Sequence, residues 1–374
     1  MTETAKERVL MVGGGTGGHV YPGIALANEL ERIAPVEIEW VGTPGRVESW
    51  AVPKAGYPIS YLDVDFLKGR RGLARIQALA KLPVALWDAW KLLRARKPAA
   101  VIGLGGFVSG PVCLVAGLMR RPVYLLEQNA RPGITNRLNG KFARRVFATF
   151  EASKNYFAPS KVVVAGNPIR RELLEAYGAS RREANNEGPV RVLVVGGSQG
   201  SLTLNREIPK RLQELSARGC EFEVRHASGK GRSDEVDYAG ASFPAQVVEY
   251  IDDMAAAFAW ADLLVCRAGA TTISELTAVG LPALYVPFPF AADDHQSANA
   301  RAVVDAGAGW TLSDAELGEP TATDLLETIV GDRARLERVG VHARALGRAD
   351  AGGAIAAQIV QESGIRPHQS LPAD

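Results

Sequence analysis

Glu275 and Ser274 lie where a nucleotide could be bound, within the stretch 267–282. A helix that starts after Gly269 would present backbone amides to a phosphate, because the first N–H groups of a helix have no partner within it. A carboxylate such as Glu275 cannot hold phosphate, but it can accept hydrogen bonds from the two adjacent hydroxyls of a ribose. The alternative is that Glu275 only favours the helix dipole. This stretch alone leaves both interpretations open.

The elements around this stretch would place it at the end of a strand. Apolar strands are predicted over 263–266 and 283–287, with a short helix over 271–279 between them. Thr271 or the threonine after it would cap the helix N-terminus, and Gly280 would end the helix.

A second candidate site is the glycine loop at residues 13–18, which is followed directly by His19. A predicted strand over 8–12 precedes the loop and a predicted helix over 21–33 follows it, as at the opening of a Rossmann-like unit. Ligands bind at such loops in open α/β sheets, so His19 could act as a base. The alternative is a capped histidine at the edge of the core, and the position favours the base.

An NAD-binding function is disfavoured by the next strand. The glycines of the first loop fit the pattern G-x-G-x-x-G, which is weak on its own. NAD binding also needs an acid at the carboxyl end of the second strand. That strand is predicted over 36–41, but Glu37 and Glu39 lie inside it and Gly42 follows it.

The same pattern of strand, glycine loop and helix starts again in the second half of the chain. A strand is predicted over 191–195, a glycine loop over 196–200 and a helix from near Leu204. Two such units predict an α/β fold of two Rossmann-like domains joined near 168–170, with the ligand in the cleft between them.

The expected domain boundaries follow from this repeat. We expect an N-terminal acceptor and membrane domain at 1–168, completed by a helix at about 350–365, and a C-terminal nucleotide-binding domain at 169–349. Residues 366–374 are expected to form a disordered tail.

Length and composition are those of a soluble globular protein. The chain has 374 residues, of which 47% are hydrophobic and 22% charged, enough for two ordinary domains. Residues 1–7 are polar, so we expect no signal peptide. The longest apolar run, 111–119, is far too short for a membrane span.

No metal site is predicted. Cys113, Cys220 and Cys266 lack metal-binding spacing and favour a reducing cytoplasm. Asp63 and Asp65 form an acid pair without a third ligand nearby, which favours a solvated strand face.

The net charge of +2 hides a strongly basic segment. Residues 66–145 hold sixteen Lys and Arg against two acids, a net charge of +14. The rest of the chain holds 27 basic and 39 acidic residues, a net charge of −12. Such one-sided charge predicts an anionic surface or ligand at this segment.

Within the basic segment, residues 72–93 show a helical pattern that Pro83 would kink or break. Basic residues interleaved with apolar and aromatic ones are typical of an amphipathic helix packed on a sheet. The same mixture on an exposed face would bind an anionic membrane surface. We favour peripheral membrane binding because the charge is one-sided. The expected contacts are Arg70, Arg71, Arg75, Leu79, Lys81 and Trp87.

Three polar residues end another predicted strand. Glu127, Gln128 and Asn129 follow the apolar run 123–126, which would place them at the carboxyl edge of the sheet as readers of sugar hydroxyls.

With these segments placed, the sequence resembles the MurG family, the bacterial UDP-N-acetylglucosamine (UDP-GlcNAc) transferases that make lipid II in peptidoglycan synthesis. The matching motifs occur in the family's order and cover nearly the whole chain, so they are specific jointly although each is weak alone. They are residues 13–19 with Tyr21 and Pro22, then 105–111, 127–129, 166–170, 196–200, 250–255, 267–275, 295–296 and 299–300.

The resemblance implies the GT-B fold, in which two Rossmann-like domains face a cleft and a C-terminal helix returns to the N-terminal domain. The N-terminal domain would take lipid I and the C-terminal domain UDP-GlcNAc. Positions that match the family's donor site would contact the diphosphate, ribose, uracil or sugar. They are Thr16, Gly17 and Gly18, Asn129 for the donor sugar, Arg170 and Ser198 for the nucleotide end, Ile251 for the uracil, Ala270, Thr271, Thr272, Ile273, Ser274 and Glu275 for diphosphate and ribose, and Gln296 for the sugar hydroxyls.

The implied chemistry is an inverting transfer. The 4-hydroxyl of the acceptor's N-acetylmuramyl sugar would attack the anomeric carbon of the donor and expel UDP, with His19 as the candidate base. The family implies no cofactor and no dedicated metal site. Some members carry a histidine just before the Glu-Gln-Asn motif, where this chain has Leu126, so a role for that histidine does not transfer.

The family also implies a setting for the protein. We expect a peripheral protein on the cytoplasmic face of the bacterial inner membrane, active in cell-wall biogenesis and hence in cell shape, division and the cell cycle. The expected partners are UDP-GlcNAc, lipid I and the anionic membrane surface, with other cell-wall or division proteins as candidates. We expect no nucleic-acid partner.

Three alternatives stay open at this point. Another GT-B enzyme, such as a lipid glycosyltransferase or a UDP-GlcNAc 2-epimerase, would share Glu275 and the phosphate loops. An NAD-dependent oxidoreductase is disfavoured by the missing acid. A non-catalytic sugar-nucleotide binder at the membrane surface would differ only in turnover.

Overall fold

The computed structural model describes residues 6–64, 81–181, 188–197 and 199–368. Five of the predicted contact residues lie outside this part of the chain, namely Arg70, Arg71, Arg75, Leu79 and Ser198. The chain divides into two compact units, residues 1–170 with 350–374 and residues 171–349. The division expected from the sequence placed the boundary after residue 168.

The first unit contains a parallel sheet, with seven strands in the described part of the chain, in the order β3-β2-β1-β4-β5-β6-β7. The strands are β1 Glu7–Gly13, β2 Val36–Gly42, β3 Ile59–Tyr61, β4 Ala100–Gly105, β5 Val123–Glu127, β6 Arg145–Ala148 and β7 Val162–Val164. The helices between them are α1 Gly17–Ile33, α2 Glu48–Lys54, α3 Leu82–Arg96, α4 Ser109–Leu118 and α5 Ile134–Asn139.

Both faces of this sheet are buried, which explains why its strands are continuous apolar runs. Val9 and Met11 pack on one face and Leu10 and Val12 on the other. The C-terminal helix, Ala351–Ser363, adds Ile355, Ile359 and further residues to the core on the α1 side. The chain's end therefore returns to the first unit, as the predicted GT-B fold requires.

The end of that helix leads into residues that were expected to be disordered. Of the expected tail, residues 366–368 are described by the structure, and His368 contacts the end of α1. His368 donates its backbone N–H to the carbonyl of Ile33 at 2.8 Å, and its Nε2 lies 3.0 Å from the carbonyl oxygen of Glu31.

The second unit repeats the design with six strands among the described residues, in the order β10-β9-β8-β11-β12-β13. The strands are β8 Val190–Val195, β9 Phe222–Ala227, β10 Ala245–Val248, β11 Leu263–Cys266, β12 Ala283–Tyr285 and β13 Trp310–Thr311. The helices are α6 Arg171–Arg181, α7 Leu202–Ala217, α8 Met254–Trp260, α9 Ala270–Val279, α10 His295–Val304, α11 Asp314–Leu317, α12 Pro320–Val330 and α13 Arg333–Leu346.

The predicted repeat of strand, glycine loop and helix is confirmed in both units. In each sheet the strand order reverses beside the first strand of the unit, β1 or β8. Such a switch point leaves a crevice at the carboxyl ends of the strands, where ligands bind in open α/β sheets. The predicted donor-site residues of each unit follow the carboxyl ends of its strands, apart from Arg170, which lies just before α6.

The helical pattern predicted over 72–93, with a kink or break at Pro83, is described from Leu82 onward, where α3 begins and Pro83 occupies its first turn. The missing N–H of proline costs nothing there. The rest of that prediction, 72–80, lies outside the described residues. The predicted cap at Thr271 or Thr272 is instead Gly269, whose extended backbone precedes α9. Gly280 ends α9 with φ +69°, as predicted.

The second unit's glycine loop gives a matched pair of substitutions. Gly200 and Gly197 both have positive φ, +70° and +95°. A Cβ on Gly200 would lie 2.0 Å from the carbonyl oxygen of Ser228, whereas a Cβ on Gly197 would meet nothing within 4 Å. We expect Gly197→Ala to cost about 1 kcal/mol through backbone strain, and Gly200→Ala to cost about 1–3 kcal/mol more through overpacking. Urea denaturation of the two variants measures the difference, and equal costs would contradict the close approach of the two loops.

Candidate functional site

The first glycine loop holds His19 in one orientation. Thr16 is the N-cap of α1, and the ring nitrogen Nδ1 of His19 lies 3.0 Å from the carbonyl oxygen of Gly14. A carbonyl oxygen can only accept, so Nδ1 carries the proton and the lone pair of the neutral ring is on Nε2. A Cβ on Gly105, the last residue of β4, would lie 3.0 Å from that Nε2. His19 therefore stands at the switch point with its basic nitrogen towards the end of β4.

The loop itself is fixed by a buried carboxylate that the sequence did not reveal. Glu48 is fully buried at the start of α2. Its Oε2 accepts the N–H of Gly15 at 2.7 Å, and its Oε1 accepts the N–H of Thr43 at 3.0 Å. The carboxylate thus joins the loops that follow β1 and β2. In the sequence, Glu48 looks like any acid in the first turn of a helix.

The end of β4 closes on the same loop. Gly106 has φ +81°, and a Cβ there would lie 2.7 Å from the carbonyl oxygen of Gly14. On the other side, Trp40 donates its indole N–H to the carbonyl of Gly13 at 2.9 Å. The backbone around His19 is therefore held by contacts from β2, from the end of β4 and from Glu48 on α2.

The polar residues after β5 are more buried than a sugar-reading cluster would be. Glu127 and Gln128 are each 2% exposed. Glu127 accepts hydrogen bonds from the backbone N–H of Asn129 and the side-chain amide of Asn136, at 3.0 and 2.9 Å. Burial raises the pKa of Glu127 to about 7, and these hydrogen bonds offset part of that effect. Glu127 therefore fixes the loop, and Asn129, half-buried, is the residue of the three that is partly exposed.

Gln128 has an unsatisfied atom. Its amide nitrogen donates to the carbonyl of Leu104 at 3.1 Å, while its buried Oε1 has no hydrogen-bond partner. Leu126, which stands where some family members carry histidine, is part of the hydrophobic core. At the end of β5, Glu127 and Leu126 thus have structural roles.

In the second unit, Arg267 joins the loops at the strand ends. It follows β11 and donates to the hydroxyl of Ser201 at 2.7 Å and to the carbonyl of Val286 at 3.1 Å. It also pairs with Asp314 at the start of α11. Sequence reasoning used Arg267 only as the first residue of a motif and missed this role, since nothing in the sequence marks its partners.

Helix α9 presents its amino end at the carboxyl edge of this sheet. Its N-cap is Gly269, which has no side chain to cap the helix, and the amides of its first turn cannot bond within the helix. The loop before it is held by Asn299, whose buried amide donates to the carbonyl of Ala268 at 3.2 Å. Glu275 is half-buried in the second turn of α9, one turn from the phosphate-attracting end. Ser274 instead bonds its own helix, donating to the carbonyl of Ala270 at 2.8 Å.

The segment before α10 carries backbone strain next to a predicted contact residue. Asp293 and Asp294 have φ +56° and +54°, a conformation uncommon for residues other than glycine and enriched at ligand sites. Gln296 accepts the backbone N–H of Phe288 through its Oε1 at 2.9 Å. Its amide nitrogen is the end with donors for a sugar oxygen.

The remaining predicted contact residues that the structure describes lie after β10, before α6 and in α1. Ile251 is half-buried after β10. Arg170 is exposed, and its guanidinium lies 5.7 Å from the centre of the Tyr21 ring on α1. Gly17 and Gly18 form the first turn of α1.

A buried histidine supports the second unit's loops. His226 on β9 lies 3.1 Å from Oδ1 of Asn205 through Nε2 and 3.0 Å from the hydroxyl of Tyr238 through Nδ1. Burial lowers the pKa of His226 to about 4, so the ring is neutral at neutral pH. Asn205 in turn donates its side-chain amide to the carbonyl oxygen of Ser228 at 2.9 Å. The same carbonyl oxygen faces Gly200. This network holds the loops after β8 and β9 together.

The described side chains include no group of three or more His, Cys, Asp or Glu residues placed to hold a metal ion. Asp63 is an exposed residue that lies 3.5 Å from Lys81.

Comparison with known proteins identifies both units. The profile of the glycosyltransferase family 28 N-terminal domain matches residues 9–148, and that of the family 28 C-terminal domain matches residues 191–347.

Whole-chain relatives agree with these profiles. A UDP-N-acetylglucosamine--N-acetylmuramyl-(pentapeptide) pyrophosphoryl-undecaprenol N-acetylglucosamine transferase of Myxococcus xanthus is 42% identical over 92% of this chain and 90% of its own length. The protein of the same name from Anaeromyxobacter dehalogenans is 44% identical over 91% of this chain and 88% of its own. The crystal structure of Acinetobacter baumannii MurG superposes with a TM-score of 0.80 at 32% identity, covering 95% of this chain and 99% of that one. The chain belongs to glycosyltransferase family 28 and has its GT-B fold of two Rossmann-like domains.

Proposed function

We propose that this chain transfers N-acetylglucosamine from UDP-GlcNAc to the 4-hydroxyl of the N-acetylmuramyl sugar of lipid I, giving lipid II and UDP with inversion. The observation that carries this function is 42% identity over 92% of the chain to a transferase of that name. The same identity favours this reaction over the epimerase, the other lipid glycosyltransferases and the oxidoreductase considered from the sequence.

The nucleotide is assigned to the second unit. The N-cap residue of α9 is Gly269, which has no side chain to cap the helix, so the amino end of α9 suits a diphosphate. Glu275, in the next turn, suits the ribose hydroxyls. Ile251, after β10, would meet the uracil and Gln296 the sugar. Ser198, which the family pattern also assigns to the nucleotide, lies outside the described residues.

His19 is assigned as the base. The 4-hydroxyl proton of the acceptor would move to Nε2, the oxygen would form a bond to the anomeric carbon, and the bond from that carbon to UDP would break. The leaving diphosphate takes the electron pair, and the helix amides and Arg170 would stabilise its charge. Asn129 and residues 16–18 would contact the donor sugar.

Turnover distinguishes this function from its alternatives. UDP-GlcNAc labelled in the sugar is incubated with lipid I, with other polyprenyl-linked sugars and with no acceptor. We expect label in lipid II and in no other product. Transfer only to another acceptor, formation of the 2-epimer, or UDP-GlcNAc binding without turnover would each contradict the proposal.

We also place the first unit at the cytoplasmic surface of the membrane, where lipid I is met. None of the helices that the structure describes is both long enough and apolar enough to cross a bilayer.

Helix α3 buries Ala85, Ala89 and Leu93 against the unit, so its opposite face is turned outward. On that face Trp87 is 55% exposed, and Lys91 lies 5.7 Å from the centre of its ring. An exposed tryptophan among basic residues favours membrane contact over a core role for this aromatic. Cell-wall and division proteins stay candidate partners.

For the donor site, Glu275→Gln should weaken UDP-GlcNAc binding by about 1–3 kcal/mol, because a charged hydrogen bond to the ribose is lost. Calorimetric titration measures the affinity. Glu337→Gln, at an exposed position on α13, is the matched control and should leave the affinity unchanged. If the two variants bind equally well, Glu275 does not contact the nucleotide.

For the base, His19→Ala should lower kcat by roughly 10²–10⁴-fold and leave UDP binding nearly intact. His342→Ala is the control, since His342 also contacts a backbone carbonyl through Nδ1, at 3.2 Å, but lies in the second unit. Lipid II formation gives kcat, and the melting temperature reports folding. Wild-type turnover of His19→Ala would remove it from the chemistry, and a lowered melting temperature with unchanged turnover per folded enzyme would make it structural.

For the membrane surface, Lys81→Gln with Lys91→Gln should weaken binding to anionic vesicles, because each basic residue near an anionic surface contributes about 1 kcal/mol. Both side chains are about half exposed, 49% and 57%. The control pair is Lys210→Gln with Arg218→Gln on the second unit. Sedimentation with anionic and neutral vesicles at low and high salt measures binding. Equal pelleting of both pairs with anionic vesicles at low salt would place the contact elsewhere.

A further inference from the structure

The buried carboxylate of Glu48 and the ring of His19 are bound to the same peptide group. The peptide between Gly14 and Gly15 donates its N–H, on Gly15, to Oε2 of Glu48 at 2.7 Å. Its C=O, on Gly14, accepts Nδ1 of His19 at 3.0 Å. Two hydrogen bonds therefore link the Glu48 carboxylate, through this peptide group, to the imidazole of His19.

Glycine backbone packs closely around the Glu48 carboxylate. A Cβ on Gly14 would lie 2.1 Å from Cδ of Glu48, and a Cβ on Gly42 would lie 2.6 Å from its Cγ. The carboxylate is enclosed by glycine backbone, and each of its oxygens accepts one N–H, so both oxygens serve as acceptors.

We propose that Glu48 is a positioning residue for His19, acting through the Gly14–Gly15 peptide. A negative charge on the N–H side of a peptide polarises it and makes its carbonyl a stronger acceptor. A stronger acceptor at Gly14 keeps the proton on Nδ1, which holds Nε2 unprotonated and in place for the acceptor hydroxyl. This inference rests on the proposed role of His19 as the base.

The same link has an electrostatic effect on the imidazole. A carboxylate at one peptide's distance favours the protonated ring and so increases the basicity of Nε2. Among the described titratable groups, Tyr21 lies on the same helix as His19, and Arg170 lies over the Tyr21 ring. They are common to all variants below and contribute a constant background.

The test uses NMR titration of the imidazole of His19 in the full-length protein, which needs no substrate. The His19 signal is assigned from its absence in His19→Ala. Glu48→Gln removes the charge and places an amide against two N–H donors. We expect the titration midpoint of His19 to fall by about 0.5–1 pH unit. Glu37→Gln, an acid on β2 with a half-exposed side chain, is the control and should leave it unchanged.

Turnover supplies the second readout. Glu48→Gln should lower kcat on the order of tenfold or more with little change in the KM for UDP-GlcNAc, and the acid limb of the pH profile should move to lower pH. In the His19→Ala background, Glu48→Gln should change kcat by less than about twofold, because the residues act as one unit.

Each outcome decides between the two roles. If Glu48→Gln lowers stability but leaves the His19 midpoint unchanged, Glu48 is only structural and the proposal is overturned. If Glu48→Gln does not fold, Glu48→Asp, which keeps the charge but shortens the side chain, should lower the midpoint by a smaller amount, and an unchanged midpoint overturns the proposal again. Should His19→Ala keep wild-type turnover, the base assignment fails while the titration still reports the link between Glu48 and His19.

Discussion

The close approach of backbone segments at the carboxyl ends of the strands is the constraint on which both sites depend. In the first unit, a Cβ on Gly106 would lie 2.7 Å from the carbonyl oxygen of Gly14, and in the second a Cβ on Gly200 would lie 2.0 Å from that of Ser228. Only glycine permits such contacts, and both Gly106 and Gly200 also have positive φ. The glycine loops therefore expose their backbone amides and carbonyls at the switch points. A larger residue in place of these glycines would fill the crevice with its side chain. The chemistry of each unit then depends on which charged side chain lies against its loop.

The two units use this shared design differently. In the first, the fully buried carboxylate of Glu48 takes an N–H of the glycine loop. A buried carboxylate beside the loop works against a nucleotide's diphosphate there. In the second unit, Arg267 joins the strand ends through the hydroxyl of Ser201 and the carbonyl of Val286, and the amino end of α9 has no side-chain cap from its N-cap residue. One repeated fold thus places a buried acid at the glycine loop that holds His19 in one unit, and an arginine paired with Asp314 among the strand-end loops in the other.

The fold could be predicted from the sequence because its signals are local and repeated. Buried strands, glycine loops and amphipathic helices each have a pattern that survives without tertiary information. The cap of α9 was predicted wrongly because Thr271 is a better intrinsic cap than Gly269, and the competing effect is tertiary: the Ala268 carbonyl is held by Asn299. Glu48 could not be found because a buried acid in the first turn of a helix has the same sequence pattern as an exposed one. Glu127 was interpreted as a sugar reader because burial, which gives it its structural role, is not visible in a strand-end motif.

A crystal structure of the full chain with UDP-GlcNAc bound is the most direct test of the division of labour between the units. We expect the ribose hydroxyls within hydrogen-bonding distance of the Glu275 carboxylate, and the diphosphate on the amides of the first turn of α9. We expect no nucleotide phosphate on the glycine loop at 13–18, which lies against the carboxylate of Glu48. A nucleotide whose diphosphate lies on residues 13–18, with Glu275 more than a hydrogen bond's length from the ribose, would contradict these assignments.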